Sequence, residues 1–118
     1  MSWHRVLHAD RLAADGTPSL VEVQGKSIGL YRSGAAVRAV LDYCPHKGAP
    51  ICRGRVESFA PVTMPGEPLR LDGARKVLRC PWHHWEFFLD TGRAVLPVKQ
   101  RLRLYPAAVR DGWVYVDV

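Results

Sequence analysis

Two short cysteine/histidine motifs constrain this chain more than any other feature. The first is Cys44-Pro45-His46 and the second is Cys80-Pro81-Trp82-His83, with residues 47–79 between them. Each motif supplies one thiolate and one imidazole, and each is short enough to lie on one tight loop. The long interval lets two such loops meet at one point of a fold. The pattern therefore predicts a metal centre with two cysteine and two histidine ligands.

Two kinds of centre use this ligand set. Zinc takes the same four ligands in tetrahedral sites. A mixed iron–sulfur centre places two cysteines on one iron and two histidines on the other. Zinc motifs usually pair Cys with Cys and His with His, whereas each motif here is mixed and has Pro after its Cys. The spacing favours the iron–sulfur centre over a zinc-stabilised binding module.

The neighbouring residues carry a resemblance to a known family. The runs Cys44-Pro45-His46-Lys47-Gly48-Ala49-Pro50 and Cys80-Pro81-Trp82-His83-His84-Trp85-Glu86-Phe87, followed by Asp90-Thr91-Gly92, resemble the Rieske ferredoxin and Rieske-domain family over residues 37–97. The resemblance implies one [2Fe–2S] cluster, with Cys44 and Cys80 on the buried iron and His46 and His83 on the outer iron. It also implies an all-β fold, a Rieske-type antiparallel β-sandwich with a small cluster-binding subdomain made of two loops.

The same resemblance bears on the reduction potential. High-potential members carry two further cysteines that form a disulfide between the loops, and a Ser and a Tyr that donate hydrogen bonds to sulfur. The corresponding positions here are Ala49, Trp82, Trp85 and Phe87. The resemblance therefore implies a low-potential centre, at about −150 mV. One position departs from the family, since His84 stands where the family usually has Gly at a close turn.

Length and composition set the limits of the fold. A chain of 118 residues, 47% apolar and 24% charged, is expected to form one domain over residues 1–118. We expect a cluster-binding subdomain at about 43–90, with an irregular insert at about 57–73 that carries several Pro and Gly residues. No apolar run approaches the roughly 18 residues of a membrane span. The absence of an export signal and the odd number of cysteines, three, predict a cytoplasmic protein.

The charge is basic, with 17 Lys and Arg against 11 Asp and Glu and a net charge of +6. Such a surface steers docking onto an acidic redox partner, or is simply a solvated basic surface. The Lys and Arg residues are scattered, so no nucleic-acid partner is predicted.

Alternation of apolar and polar residues predicts short strands and few helices. The predicted strands are 5–8, 20–23, 27–31, 37–43, 75–79, 85–89, 101–105 and 113–118. The strands at 27–31 and 37–43 are expected to form a hairpin that turns at Ser33-Gly34. The last two strands are expected to form a closing hairpin.

The function implied by the resemblance is electron transfer rather than catalysis. The leading hypothesis is a one-electron carrier between a flavin-dependent reductase and a terminal oxygenase. The alternative is a small Rieske subunit of a larger oxygenase or nitrite-reductase-like complex. An oxygenase would also need a mononuclear iron bound by two His and a carboxylate. Only His4, His8 and His84 remain for such a site, and none forms a plausible pair with a nearby carboxylate on a pocket-forming helix.

Overall fold

Antiparallel strands make up nearly all the regular structure of the chain. We describe a computed structural model that covers residues 2–13, 16–33, 36–45, 47–59, 65–67, 72–82 and 84–118. The strands are β1 Trp3–His8, β2 Ser19–Val23, β3 Lys26–Ser33, β4 Ala36–Leu41, β5 Arg55–Phe59, β6 Asp72–Arg79, β7 Glu86–Phe88, β8 Leu104–Tyr105, β9 Ala107–Arg110 and β10 Trp113–Asp117. Two short 3-10 turns lie at Ala9–Arg11 and Ile51–Arg53. Within these residues no helix is long and apolar enough to cross a bilayer.

The strands form three sheets. Sheet A has the order β1-β10-β9, sheet B the order β2-β3-β4-β8, and sheet C the order β5-β6-β7. Two-residue turns with positive φ at both positions, Gln24-Gly25 and Asp111-Gly112, connect β2 to β3 and β9 to β10. This backbone conformation matches the twist of a two-stranded hairpin.

Sheet B is the central layer, because successive residues of its strands face two different cores. Leu30 and Ala39 belong to one core and their neighbours Tyr31 and Val40 to the other, which follows from the alternation of side chains along a strand. The first, here called the base core, joins sheet B to sheet A. The second, the loop core, joins sheet B to sheet C and to both cysteine motifs. The base core contains Leu12, Val23, Ile28, Leu30, Ala39, Tyr105, Val114, Val116 and Val118.

The structure confirms the all-β antiparallel fold and seven of the eight predicted strands to within a few residues. The eighth, 101–105, is shortened to Leu104–Tyr105. The predicted turn at Ser33-Gly34 lies partly outside the described residues. Strand β5 takes the first three residues of the segment predicted as an irregular insert, and β6 takes its last two.

The predicted closing hairpin is wrong in its pairing. Strand β10 pairs with β9 and β1, whereas β8 pairs with β4 in sheet B. The tight turn at Asp111-Gly112 places Arg110 opposite Trp113, so the segment immediately before the turn becomes the partner strand. Pro106 separates that segment from β8 and has no N–H for a ladder. The chain therefore passes from sheet B to sheet A at this proline.

Cys52 lies in the loop core, 4% exposed, on the 3-10 turn before β5. Its backbone N–H donates a 2.9 Å hydrogen bond to Oδ1 of Asp42. Burial raises the pKa of the Cys52 thiol to about 12 and also raises the pKa of the neighbouring Tyr31. Cys52 therefore packs as a small apolar core residue.

We predict that Cys52 makes the fold sensitive to alkali. Its pKa rises from about 9 when unfolded to about 12 when folded. Its contribution to the free energy of unfolding is therefore complete below pH 9 and is lost as the pH rises towards 12. At pH 10.5 the loss from this one thiol is about 2 kcal/mol. Urea unfolding followed by tryptophan fluorescence at pH 8 and pH 10.5 measures it.

The matched control is Cys52→Ala, which keeps Tyr31 and all other titrating groups. This variant is expected to lose less stability than the parent between the two pH values, although it is less stable at pH 8. An equal loss in both proteins would contradict the prediction.

Candidate iron–sulfur site

The first cysteine motif forms a closed backbone loop directly after β4. Cys44 is fully buried. Its N–H donates to the carbonyl of Ala49 at 2.8 Å, and its own carbonyl accepts from the N–H of Gly48 at 2.7 Å. Gly48 has φ of 76°, a conformation that glycine adopts without strain. Two backbone hydrogen bonds thus close the loop around Cys44.

The second motif repeats this arrangement between β6 and β7. Cys80 is also fully buried. Its N–H donates to the carbonyl of Trp85 at 2.8 Å, and its carbonyl accepts from the N–H of His84 at 3.0 Å. His84 has φ of 59°. The two loops therefore share one hydrogen-bond pattern, counted from the cysteine, although their sequences differ.

The shared pattern explains why His84 departs from the family template. His84 occupies the position in the second loop that Gly48 occupies in the first, and both have positive φ. Histidine is among the non-glycine residues enriched in this region. The close turn that glycine normally makes is retained here by a histidine, at a cost of about 1–2 kcal/mol.

Sheet C brings the two loops together. Arg55 at the start of β5 lies opposite Arg79 at the end of β6, and Arg79 lies opposite Glu86 at the start of β7. The first loop leads into β5, and the second connects β6 to β7, so both emerge at the same end of the sheet. Gly54 packs so closely on the carbonyl of Arg79 that a Cβ there would overlap this oxygen.

Both cysteines lie in the loop core beside apolar side chains from both loops and from sheets B and C. Its buried members are Tyr31, Val40, Cys44, Ala49, Ile51, Cys52, Leu78, Cys80, Phe87, Leu89 and Leu102. The three cysteines form no disulfide. A pair of fully buried cysteines in a dry core, each on a backbone-closed loop, fits the thiolate side of a [2Fe–2S] cluster.

The other two predicted ligands, His46 and His83, lie outside the described residues. The four-residue ligand set therefore stays a prediction, of which the structure places the two cysteines in one core.

The structure also shows the surroundings of the four positions linked to the reduction potential, 49, 82, 85 and 87. Ala49 and Phe87 are fully buried, and neither carries a hydroxyl or a thiol. Trp85 is half-buried and packs against the loop core, with its ring 6.3 Å from that of Phe87. Trp82, in contrast, is 56% exposed.

Sequence reasoning missed the polar group that borders the second loop. The Arg79 guanidinium lies 3.4 Å from the carboxylate of Glu57 and 3.3 Å from that of Glu86. These three residues lie on neighbouring strands of sheet C, on the face opposite Leu78 and Phe87. The alternation of β6 around Leu78 indicates an outward Arg79, but its partners depend on the strand pairing.

We predict that substitutions at the two equivalent turn positions, Gly48 and His84, differ in their effect on the free energy of unfolding. Gly48→Ala is expected to lower the free energy of unfolding by about 1–2 kcal/mol, because positive φ strains alanine and its Cβ would lie 3.1 Å from the Tyr43 ring. His84→Gly is expected to stay within about 1 kcal/mol of the parent. Denaturant unfolding measures both.

Gly25→Ala is the control for strain alone, since Gly25 has φ of 77° and an alanine Cβ there would have no atom within 4 Å. The loss in Gly48→Ala should exceed the loss in Gly25→Ala. The opposite order would show that the Tyr43 contact adds nothing to the strain.

Comparison with known proteins supports the same assignment. The profile of the Rieske [2Fe-2S] domain family matches residues 2–106. The 3-phenylpropionate/cinnamic acid dioxygenase ferredoxin subunit of Photorhabdus laumondii is 34% identical over 92 residues, which are 77% of this chain and 72% of that protein.

Two solved structures share the fold over nearly the full chain. The ferredoxin of carbazole 1,9a-dioxygenase from Nocardioides aromaticivorans has a TM-score of 0.71 and 25% identity, covering 98% of this chain and 97% of that one. A putative NADH-dependent nitrite reductase small subunit from Mycobacterium tuberculosis has a TM-score of 0.76 and 25% identity, covering 98% of this chain and 93% of that one.

The family match decides between the two centres left open by the ligand types, since the cofactor of the family is a [2Fe–2S] cluster and not zinc. With its twin cysteine loops and its match over residues 2–106, this chain belongs to the Rieske [2Fe-2S] domain family.

Proposed function

We propose that this protein is a one-electron carrier that passes electrons from a flavin-dependent reductase to an oxygenase-type partner in the cytoplasm. The observation that carries the proposal is the pair of backbone-closed loops, each with a fully buried cysteine, at one end of sheet C. The similarity of this chain to a dioxygenase ferredoxin subunit supports this choice of partner. Three buried cysteines without a disulfide are compatible with a reducing compartment.

The proposed ligands are Cys44, His46, Cys80 and His83. When bound, a Rieske cluster accepts and releases one electron at a time. The chain's own contribution is to hold the two thiolates in a dry core, through the loop hydrogen bonds of Cys44 and Cys80 and the apolar side chains around them. A neutral imidazole in place of a thiolate removes negative charge, which makes an added electron easier to accept. Substrate chemistry belongs to the partner.

We also propose a low potential, at about −150 mV. Hydrogen bonds to cluster sulfur raise the potential of an iron–sulfur centre. The loop core offers apolar side chains at positions 49 and 87, and no disulfide joins the loops. A redox titration followed by EPR of the reduced protein measures both the ligand type and the midpoint. A midpoint above zero would contradict the low-potential assignment.

We predict that substitutions of the three cysteines and of the adjacent His83 and His84 separate cluster ligands from residues that do not bind the cluster. Cys44→Ser and Cys80→Ser should lose the cluster, whereas Cys52→Ser should keep it, although all three cysteines are buried. His83→Ala should lose the cluster or hold it weakly, whereas His84→Ala should keep it. Iron and sulfide content per protein and the visible spectrum are the measurements.

The matched variants also test the assignment itself. Loss of the cluster in His84→Ala but not in His83→Ala would exchange their roles. Stoichiometric zinc in a colourless parent protein would refute the iron–sulfur function.

A second candidate is the small subunit of a nitrite-reductase-like complex. The TM-score of 0.76 to a putative nitrite reductase small subunit, with 98% of this chain covered, favours it. Affinity purification from the native host distinguishes the two. Stable co-purification with a larger catalytic subunit supports the subunit, whereas a monomer that exchanges electrons with separate reductase and oxygenase components supports the carrier.

A further inference from the structure

A cleft lined by arginines lies beside the second cysteine loop. It has a volume of about 390 Å³, and Arg53, Arg55, Arg79 and His84 line it together with Cys80 and Pro81. Arg53, Arg55 and His84 are exposed. This arginine cleft therefore opens to solvent at the end of sheet C where both loops emerge.

Among the residues that the structure describes, the positive charges of the cleft are only partly paired. Arg79 has two carboxylate neighbours, Glu57 at 3.4 Å and Glu86 at 3.3 Å. The guanidinium groups of Arg53 and Arg55 form no hydrogen bond or ion pair with any residue that the structure describes. Three arginines against two glutamates leave a positive excess at the rim, carried by Arg53 and Arg55.

The strand register makes this arrangement unfavourable for stability. Arg55 and Arg79 lie directly opposite each other on antiparallel strands, and like charges at such positions are destabilising. The two glutamates form ion pairs with Arg79, and neither forms one with Arg55. Proteins place residues in locally unfavourable pairs, such as two like charges on adjacent strands, mainly at functional sites. An excess of positive charge at an open cleft attracts anions from outside the chain.

Chemistry and position together identify the anion. Guanidinium groups bind carboxylates through two parallel hydrogen bonds. Trp82, next to Pro81 in the second loop, is 56% exposed, and exposed Trp beside Arg is the composition typical of protein interface anchors. A protein that exchanges electrons with this chain must approach these loops.

We propose that the arginine cleft receives a carboxylate side chain from the acidic face of a redox partner, with Trp82 as the apolar anchor beside it. This inference rests on the proposed function and adds the chemistry of the partner's surface. Charge complementarity at the cleft orients the partner over the second loop and raises the rate of encounter at low ionic strength.

The first experiment measures binding without electron transfer. A fluorescein-labelled hexaglutamate peptide is titrated with the cluster-loaded protein at low ionic strength, and anisotropy is recorded, with labelled hexaserine as the reference peptide. The double variant Arg53→Gln/Arg55→Gln is expected to bind hexaglutamate about fivefold more weakly or worse, since two exposed ion pairs together contribute about 1 kcal/mol.

The matched control is Arg11→Gln/Arg110→Gln, which removes the same charge at two exposed positions outside the cleft. It is expected to change the affinity for hexaglutamate by less than about twofold. Equal weakening in both double variants would mean that only net charge matters and would overturn the proposal. Unchanged binding in the Arg53/Arg55 variant would overturn it as well.

The second experiment uses two small oxidants of opposite charge in stopped flow. Each takes one electron from the reduced protein, and no covalent bond forms or breaks: ferricyanide becomes ferrocyanide, and tris(phenanthroline)cobalt(III) becomes cobalt(II). The Arg53/Arg55 variant should react more slowly with ferricyanide than the Arg11/Arg110 variant does, and no more slowly than the parent with the cobalt cation. Equal slowing with both oxidants would overturn the proposal.

Failure of the proposed function is recognised separately. It appears as a cluster-loaded parent that carries no electrons between a reductase and an oxygenase, whereas the peptide titration reports on the cleft alone.

Discussion

The close approach of Gly54 to the carbonyl of Arg79 is the contact on which the rest of the site depends. It joins the segment that leaves the first cysteine loop to the strand that leads into the second, with no side chain between them. The pairing of Arg55 with Arg79, the shared end of sheet C and the burial of both cysteines in one core all follow from it. A side chain at position 54 would separate the two halves of the site.

The division into two cores gives each part of the molecule a separate task. The base core, between sheets A and B, holds a sandwich whose residues include none of the motif cysteines. The loop core contains Cys44 and Cys80, and it excludes water from them with apolar side chains of both loops. Sheet B is shared by both cores, so the loops rest on a layer that is buried on both faces. A rigid support of this kind limits the reorganisation that accompanies electron transfer.

The two faces of sheet C differ in polarity. One face packs into the apolar loop core, and the charged groups lie on the outer face. Arg79 forms ion pairs with two glutamates, and the exposed Arg53 and Arg55 lie nearby, beside the second loop. The dry face of the sheet suits a buried cofactor, and the charged face suits a partner of opposite charge. Both faces belong to the same three strands.

The sequence by itself determined the chemistry of the site. The two motifs predict the ligand types, and positions 49, 82, 85 and 87 carry no thiol or hydroxyl, because these are properties of single residues at known spacing. Seven of the eight strands were predicted from the local alternation of apolar and polar residues.

The tertiary structure decided the features that depend on contacts between residues far apart in the sequence. It paired β10 with β9 rather than with 101–105, exposed Trp82, and showed that His84 stands in the turn position of Gly48. It also placed Arg55 opposite Arg79, because strand register is set by packing between segments far apart in the chain.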